Sequence, residues 1–367
     1  MKILCSKADL LKSVNISLRA VTPKSTVPLL ECILIKAERG QITFTSNDME
    51  LGIETIVPGT VLEEGMVALE AKMLSDIIRK LPDDDVQISV DERLTAHIVC
   101  GKTKFNIAGQ DGYDFTALPD IVKEDSVRLS QLTLKEIISR TIFAVAQSET
   151  NKILTGELFH INGNVLRVVC MDGHRVAIRK IELKDSYDEK KVIVPGKTLQ
   201  EIGKILSSEA DDEIKLYFMP NHIVFEMDDT TIVSSLIEGE YLDIDHMLST
   251  DYETRVNINR QQLIGSIDRS TLFVKEGDKK PIIMDFKDKT MEIIIESPMG
   301  SMDENIDIEK DGRDIMIGFN PRLMLDAVRA ISDEDITMYF LNPKAPCFIR
   351  DEKETYTYIV LPVNFVR

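Results

Sequence analysis

The chain has 367 residues, 43% hydrophobic and 29% charged. That is more than one hydrophobic core usually supports, and it excludes disordered, collagen-like and membrane-spanning classes. Its 44 Lys+Arg against 62 Asp+Glu give a net charge of −18, which argues against a protein that coats nucleic acid or an anionic membrane indiscriminately.

The opening MKILCSKADLL holds a lysine and an apolar run too short for a signal-peptide core, so the chain reads as cytoplasmic with no membrane attachment. Cys5, Cys32, Cys100, Cys170 and Cys347 lie far apart with no CxxC pair, which suggests free thiols in a reducing cytosol rather than disulfides or a zinc knuckle. A first helix is expected over SKADLLKSVNISLRAV (6–21), with Ser6 as its N-cap. The alternating segment ECILIKAERGQITFTSN (31–47) carries turn residues at its middle and reads as a hairpin. MVALEAKMLSDIIRKL (66–81) is a strand, a small turn, a basic residue and an amphipathic helix. An acidic turn and strand, PDDDVQISV (82–90), and a second hairpin, AHIVCGKTKFNIAG (96–109), complete the set.

The same order then returns twice. SQLTLKEIISRTIFAV (130–145) and NRQQLIGSIDRSTLFV (259–274) repeat the first helix, with Ser130 and Asn259 as caps. ELFHINGNVLRVVCMD (157–172) and PIIMDFKDKTMEIIIES (281–297) repeat the first hairpin. KVIVPGKTLQEIGKIL (191–206) and IMIGFNPRLMLDAVRAI (315–331) repeat the strand and helix, so that Lys72, Lys197 and Arg322 share one slot at intervals of 125 residues. Asp76, Glu201 and Asp326 share another slot. SSEADDEIKLYF (207–218) and SDEDITMYF (332–340) follow, then HIVFEMDDTTIVSSLI (222–237) and PCFIRDEKETYTYIVLP (346–362). The chain is therefore expected to be α+β: three repeats at 1–124, 128–249 and 253–367, each with two helices packed on antiparallel sheets and roughly eight strands.

The charge is unevenly spread. The six helical segments hold 14 basic against 6 acidic residues, net +8, which leaves −26 for the rest of the chain. Lys and Arg favour helix surfaces in any protein, but acidic residues do so nearly as well and are outnumbered here. A basic face within an acidic envelope suits a protein that tracks a polyanion without sticking to it elsewhere. Identical repeat ends would pair head-to-tail, so two chains could close a ring.

At this point the sequence resembles the bacterial replicative sliding clamps, the beta subunits of DNA polymerase III. The resemblance covers the whole chain and rests on the order and spacing of KSTVPLL (24–30), TSNDMELGI (45–53), KFNIAGQDGYDF (104–115), MDGHR (171–175), VIVPGK (192–197), SSLIEGEY (234–241), GFNPRLMLDAV (318–328) and the terminal YIVLPV (358–363). It implies three domains of the DNA-clamp fold in a head-to-tail homodimeric ring, with duplex DNA threaded through a helix-lined hole. It also implies no catalytic role and no cofactor or metal. The implied partners are sequence-independent double-stranded DNA, the DNA polymerase III alpha subunit, the clamp loader, and other DNA polymerases and repair proteins that dock through short linear motifs.

The resemblance further assigns residues. A cleft for partner peptides would be walled by Leu154, Gly173, His174, Arg175, Val176, Met247, Ile359, Leu361, Pro362 and Val363, with aliphatic side chains filling subpockets and Arg175 or backbone amides fixing orientation. DNA would be held loosely by Lys12, Lys24, Lys72, Arg79, Lys135, Lys152, Lys197, Lys204, Arg260 and Arg322. No groove-reading motif accompanies them. The ring would close through Phe105 and Ile107 of one chain on Leu272 and Phe273 of the other, although periodicity alone equally allows these four to be core residues. The chain departs from the family where Leu242, Asp243 and Ile244 replace the usual proline, acidic or amide residue, and aromatic. It departs again where His246 replaces a basic residue and where Asn364 and Phe365 precede Val366–Arg367. These changes fall on the cleft wall and its tail, and imply a shifted partner preference.

Other readings stay open on the residues alone. Asp172-Gly173-His174 could be a plain hairpin turn, and YIVLPV an ordinary edge strand ended by Pro362. Carboxylates such as Asp48 and Asp172 at repeat junctions could serve a three-module enzyme, while a scaffold binding only proteins would scatter its basic helix faces. Hydrolase chemistry is disfavoured by the lack of a G-x-S-x-G elbow. His97, His160, His222 and His246 fit no metal-ligand spacing, and Cys170 and Met171 near His174 offer only a weak soft-metal alternative.

Overall fold

The computed structural model describes residues 1–121, 123–147, 150–248, 250–275 and 280–365. The first repeat runs β1 (Lys2–Ser6), α1 (Lys7–Ser17), β2 (Cys32–Glu38), β3 (Gln41–Asn47), β4 (Leu51–Val57), β5 (Thr60–Glu63), β6 (Gly65–Glu70), α2 (Ala71–Lys80), β7 (Asp85–Val90), β8 (Thr95–Cys100) and β9 (Thr103–Ala108). The second runs β10 (Val127–Ser130), α3 (Gln131–Ser139), β11 (Gly156–Met171), β12 (Arg175–Pro195), α4 (Gly196–Ile205), β13 (Glu213–Phe218), β14 (His222–Met227) and β15 (Thr230–Ser235). The third runs β16 (Thr254–Asn259), α5 (Arg260–Ser270), β17 (Ile282–Lys287), β18 (Thr290–Ser297), β19 (Gly300–Asp307), β20 (Glu309–Gly312), β21 (Ile315–Phe319), α6 (Pro321–Arg329), β22 (Asp335–Phe340), β23 (Cys347–Arg350) and β24 (Tyr356–Val360). Among the described residues no helix is long and apolar enough to cross a membrane.

The helices begin where the sequence places their caps. Ser6 Oγ accepts the Asp9 amide, Ser130 Oγ the Thr133 amide and Asn259 Oδ1 the Gln262 amide. Each bond satisfies one donor left free at a helix start. Helix α2 buries Ala71, Leu74, Ser75, Ile77 and Ile78 and leaves Lys72, Asp76, Arg79 and Lys80 in solvent, the amphipathic division that periodicity predicts. One expected hairpin differs. Residues 157–172 lie in the single strand β11, whose register against β12 shifts on both sides of Gly163 (φ +59°). The glycine bends the strand there, and the irregularity is taken up in the pairing with β12.

The chain divides into two compact units, and the second repeat contributes to both: Met1–Leu134 with Lys197–Leu236, and Lys135–Gly196 with Ile237–Arg367. The first unit holds a five-stranded sheet, β5-β1-β7-β8-β9, and an eight-stranded sheet, β10-β13-β14-β15-β4-β3-β2-β6. Between them and α1 and α2 lies a core with Ile3, Leu10, Val14, Ile33, Phe44 and Ile78 fully buried. The second unit holds a seven-stranded sheet, β11-β12-β24-β23-β22-β16-β20, and a four-stranded sheet, β19-β18-β17-β21, around a core that includes Phe286, Phe319, Met324 and Phe340.

Each large sheet is built across a repeat junction. In the first unit β15 of the second repeat pairs antiparallel with β4 of the first, Leu51 opposite Ser234 and Gly52 opposite Val233. In the second unit β24 of the third repeat pairs with β12 of the second, Arg175 opposite Val360 and Val176 opposite Ile359. The bond closing each junction is also shared: Ser235 N–H donates to the Glu50 carbonyl at 2.8 Å, and Leu361 N–H to the His174 carbonyl at 2.9 Å. The turns match too, since Asp48 Oδ1 accepts the amides of Glu50 and Leu51 and Asp172 Oδ1 those of His174 and Arg175.

Candidate functional site

The ten expected cleft residues all belong to the second unit and gather at its repeat junction. Strand β12 supplies Arg175 and Val176 directly after the Asp172 turn, and β24 supplies Ile359 opposite Val176. Val176 (8% exposed) and Ile359 (1%) join Leu158, Val169, Met171, Ile178, Tyr241, Ile244 and Phe348 in one apolar cluster, against which Leu154 packs half-buried. Gly173, with φ +88°, lies in open space at the turn, a backbone region that disfavours any side chain. His174 is exposed, as is Met247 (42%), while Leu361, Pro362 and Val363 are half-buried. The tail leaves the sheet by a regular path: Leu361 N–H bonds His174, Pro362 has no donor, and Val363 N–H bonds the Gly318 carbonyl at 2.8 Å. YIVLPV is thus an interior strand of the sheet, paired with both β12 and β23, followed by a short half-buried tail beside the apolar cluster. Beyond it Asn364 and Phe365 line a separate cavity of about 500 Å³ with Pro281, Ile283, Ile294 and Met316; Val366 and Arg367 lie outside the described residues.

Arg175 is placed differently from a free anchor. Its Nε donates to Asp172 Oδ2 at 2.9 Å and its Nη1 to Asp326 Oδ2 at 2.7 Å, while Nη2 donates to the Phe143 carbonyl. The guanidinium lies over the Phe143 ring at 5.2 Å, and its side chain is only 10% exposed. These contacts hold the Asp172 turn to α6, so Arg175 acts as a brace with its donors already committed. Sequence reasoning missed both Phe143 and Asp326. Asp326 sits in the acidic slot shared by the three repeats, and that signal marks the position but not its partner. Tyr241, within the SSLIEGEY segment, was missed as a member of this cluster, while Ile244, named as a departure on the expected wall, is buried in it.

A buried carboxyl lies beneath this cluster. Glu157 of β11 is wholly buried, accepts a hydrogen bond from Thr141 Oγ1, and has its pKa pushed up by burial to about 8. It therefore stays protonated at neutral pH. Register identifies its counterparts. Glu157 pairs with Val194, three residues before Lys197, as Ile33 pairs with Leu69 before Lys72 and Ile282 with Phe319 before Arg322. Two repeats fill this core position with isoleucine and the second with an acid.

Of the expected DNA-contacting residues, Lys12, Lys24, Lys72, Arg79, Lys152, Lys197, Lys204 and Arg322 are exposed, and Lys135 and Arg260 half-buried. Lys197 Nζ lies 3.3 Å from Asp48 and Lys204 Nζ 2.6 Å from Glu201. Arg260 Nε donates to the Asp333 carbonyl at 2.8 Å. Of the expected ring-closing residues, Leu272 is 74% exposed. Phe105 and Ile107 on the edge strand β9 and Phe273 beside Gly300 are half-buried against their own cores. Among the described residues no three His, Cys, Asp or Glu side chains are placed to hold a metal ion.

Comparison with known proteins adds an independent line. Residues 1–119, 128–243 and 245–364 match models of the N-terminal, central and C-terminal domains of the DNA polymerase III beta subunit. The beta sliding clamp of Staphylococcus aureus (strain Mu50 / ATCC 700699) is 33% identical over 361 residues, covering 95% of this chain and 96% of that protein. A crystal structure from Eubacterium rectale ATCC 33656, described as a DNA polymerase III beta subunit, superposes with a TM-score of 0.96 at 56% identity over the whole of both chains. The DNA polymerase sliding clamp of Bacillus subtilis does so with a TM-score of 0.96 at 30% identity, again over the whole of both.

Proposed function

The chain belongs to the DNA polymerase III beta subunit family, and on that premise we propose that it is a non-catalytic DNA sliding clamp. Two chains form a head-to-tail ring around duplex DNA, and the groove at the second repeat junction captures short linear motifs of the replicative polymerase, the clamp loader and other replication or repair proteins. The repeats at 1–124, 128–249 and 253–367 act as its three domains, in the cytoplasm, with no cofactor. The clustered residues Leu154, Val176, Ile359, Leu361, Pro362 and Val363 supply the apolar surface that buries a peptide's side chains. The ten basic residues supply screened phosphate contacts too weak to stop sliding.

The observation that carries the ring is the junction built twice in one chain. Strands β15 and β24 each end their repeat's sheet by pairing with the next sheet, on β4 and β12. Their counterpart in the first repeat is β9, and the counterpart of β4 and β12 in the third is β19; each is an edge strand among the described residues. A second chain offers each edge its complement, and a heterologous contact that closes after two copies removes both. Counting along the hairpins, Asp48 opposes Leu51, Asp172 opposes Arg175 and Ser297 opposes Gly300 across two-residue turns. Gly300 therefore falls opposite Ile107 of the other chain, Met302 opposite Phe105 and Asp303 opposite Lys104.

A double-cysteine variant, Lys104→Cys with Asp303→Cys, two exposed residues that face each other in this pairing, tests this register. The five native thiols are all buried and leave the new pair to react. Mild oxidation is expected to yield covalent dimers, and oxidation after loading on circular DNA a ring that survives denaturant on the circle. Cross-linking no faster than in either single variant would reject the seam.

A further inference from the structure

Residues 216–254 contain no lysine or arginine and nine Asp or Glu. The second half of this segment forms one wall of the apolar groove. Tyr241 and Ile244 are 4% exposed within its cluster, and Leu248 packs on it. Between and beside them Glu238, Glu240, Asp243 and Asp245 face solvent, alongside Leu242 (58% exposed) and Met247 (42%). The wall therefore presents apolar surface and negative charge side by side.

The arginines nearby neutralise only Asp245 of these four carboxylates. Arg175 is committed to Asp172, Asp326 and the Phe143 carbonyl. Arg167 Nη2 donates to Asp245 Oδ1 at 2.6 Å, with its side chain 18% exposed. Lys180 lies 3.6 Å from Glu354. Glu238, Glu240 and Asp243 form no ion pair among the described residues, and all three are exposed.

Resting on the reading of this groove as a peptide cleft, we infer that it selects partner peptides whose apolar anchors are flanked by lysine or arginine. The anchors fill the cluster between β12, β24 and the 241–248 wall. The flanking cations meet Glu240 and Asp243 at the rim, where complementary charge sets preference and encounter rate more than total affinity. A peptide flanked by carboxylates brings like charge to the same rim and binds more weakly.

Three fluorescent peptides test this on the full-length protein. All carry the same two leucines and phenylalanine as anchors, flanked by four lysines, four serines or four glutamates. By anisotropy at low salt the lysine-flanked peptide is expected to bind about tenfold more tightly than the glutamate-flanked one, with serine between, because several exposed pairs each contribute modestly. The gap should shrink as salt approaches 1 M. The double variant Glu240→Lys/Asp243→Lys should reverse the order. Equal affinity for all three, lost in Leu361→Ala, would overturn the charge preference while the cleft stands. Binding of all three that Leu361→Ala leaves untouched, or binding of none, would overturn the cleft and the preference together.

Discussion

The two repeat junctions share a backbone and differ in what they line it with. Both have an Asp-capped turn, an antiparallel strand pair in the same register, and one closing bond, Ser235 to Glu50 or Leu361 to His174. At the first, the residue opposite Val233 is Gly52, on which a Cβ would stand 2.2 Å from Leu118 Cδ2. Leu118 therefore occupies space that Val176 fills with its own side chain at the second. The cavity left at the first junction, about 310 Å³, is bordered by Asn47, Glu50, His222 and Ser235. At the second, the corresponding end of β24 continues as Leu361, Pro362 and Val363 beside an apolar cluster. The repeat sets the scaffold, and a few side chains decide which junction can hold an apolar ligand.

The comparison can be broken most severely at the third junction, the one proposed to form between chains. Leu272→Ala with Phe273→Ala is expected to convert dimers to monomers in sedimentation equilibrium; dimers that persist would remove this patch from the seam. Next in size is the acid where the other repeats carry Ile33 and Ile282. Glu157 folds with its pKa at about 8, above the ordinary value of 4.5. The folded state thus keeps a proton that the unfolded state releases. Its protonation favours folding fully below the ordinary value, and stability falls as pH rises from about 4.5 to 8, by up to about 5 kcal/mol if the whole shift is realised. Glu157→Gln and Glu157→Ile should flatten that slope in urea titrations, and an unchanged slope would assign the pH dependence elsewhere.

Smaller effects separate the two junctions within one chain. Leu361→Ala should lower affinity for a partner-derived peptide about tenfold with the dimer intact, whereas Ser235→Ala, at the corresponding position of the first junction, should leave it unchanged. Equal losses would erase the distinction. The Lys197–Asp48 pair at the first junction, with the lysine side chain 72% exposed, is worth about 1 kcal/mol or less. Lys197→Ala should therefore barely move the unfolding midpoint, while reducing the salt slope of DNA binding by about one unit if this lysine meets a phosphate.

Helices, caps and most hairpins were legible in the sequence because each is a local pattern: Ser6, Ser130 and Asn259 before apolar periodicity, or alternation broken by a turn. The strand β11 was not, since Gly163 in an alternating run is the same signal for a turn and for a bend. The residues proposed for the cleft were legible only through the family's motifs, and the structure places Leu154, Val176 and Ile359 of them in or against one apolar cluster. Arg175's partners were hidden because Asp326 lies 151 residues away and contact over that distance leaves no local signature. Glu157 was hidden for a related reason: an acid in a strand normally faces water, and only the register with Val194 reveals that this one occupies a core position.

Enclosure of DNA is tested most directly by loading the protein on a nicked circle and then linearising it. The account predicts a ring that stays bound while the circle is intact and runs off once ends exist, with little dependence on DNA sequence. Protein that remains on linear DNA as it did on the circle would contradict it.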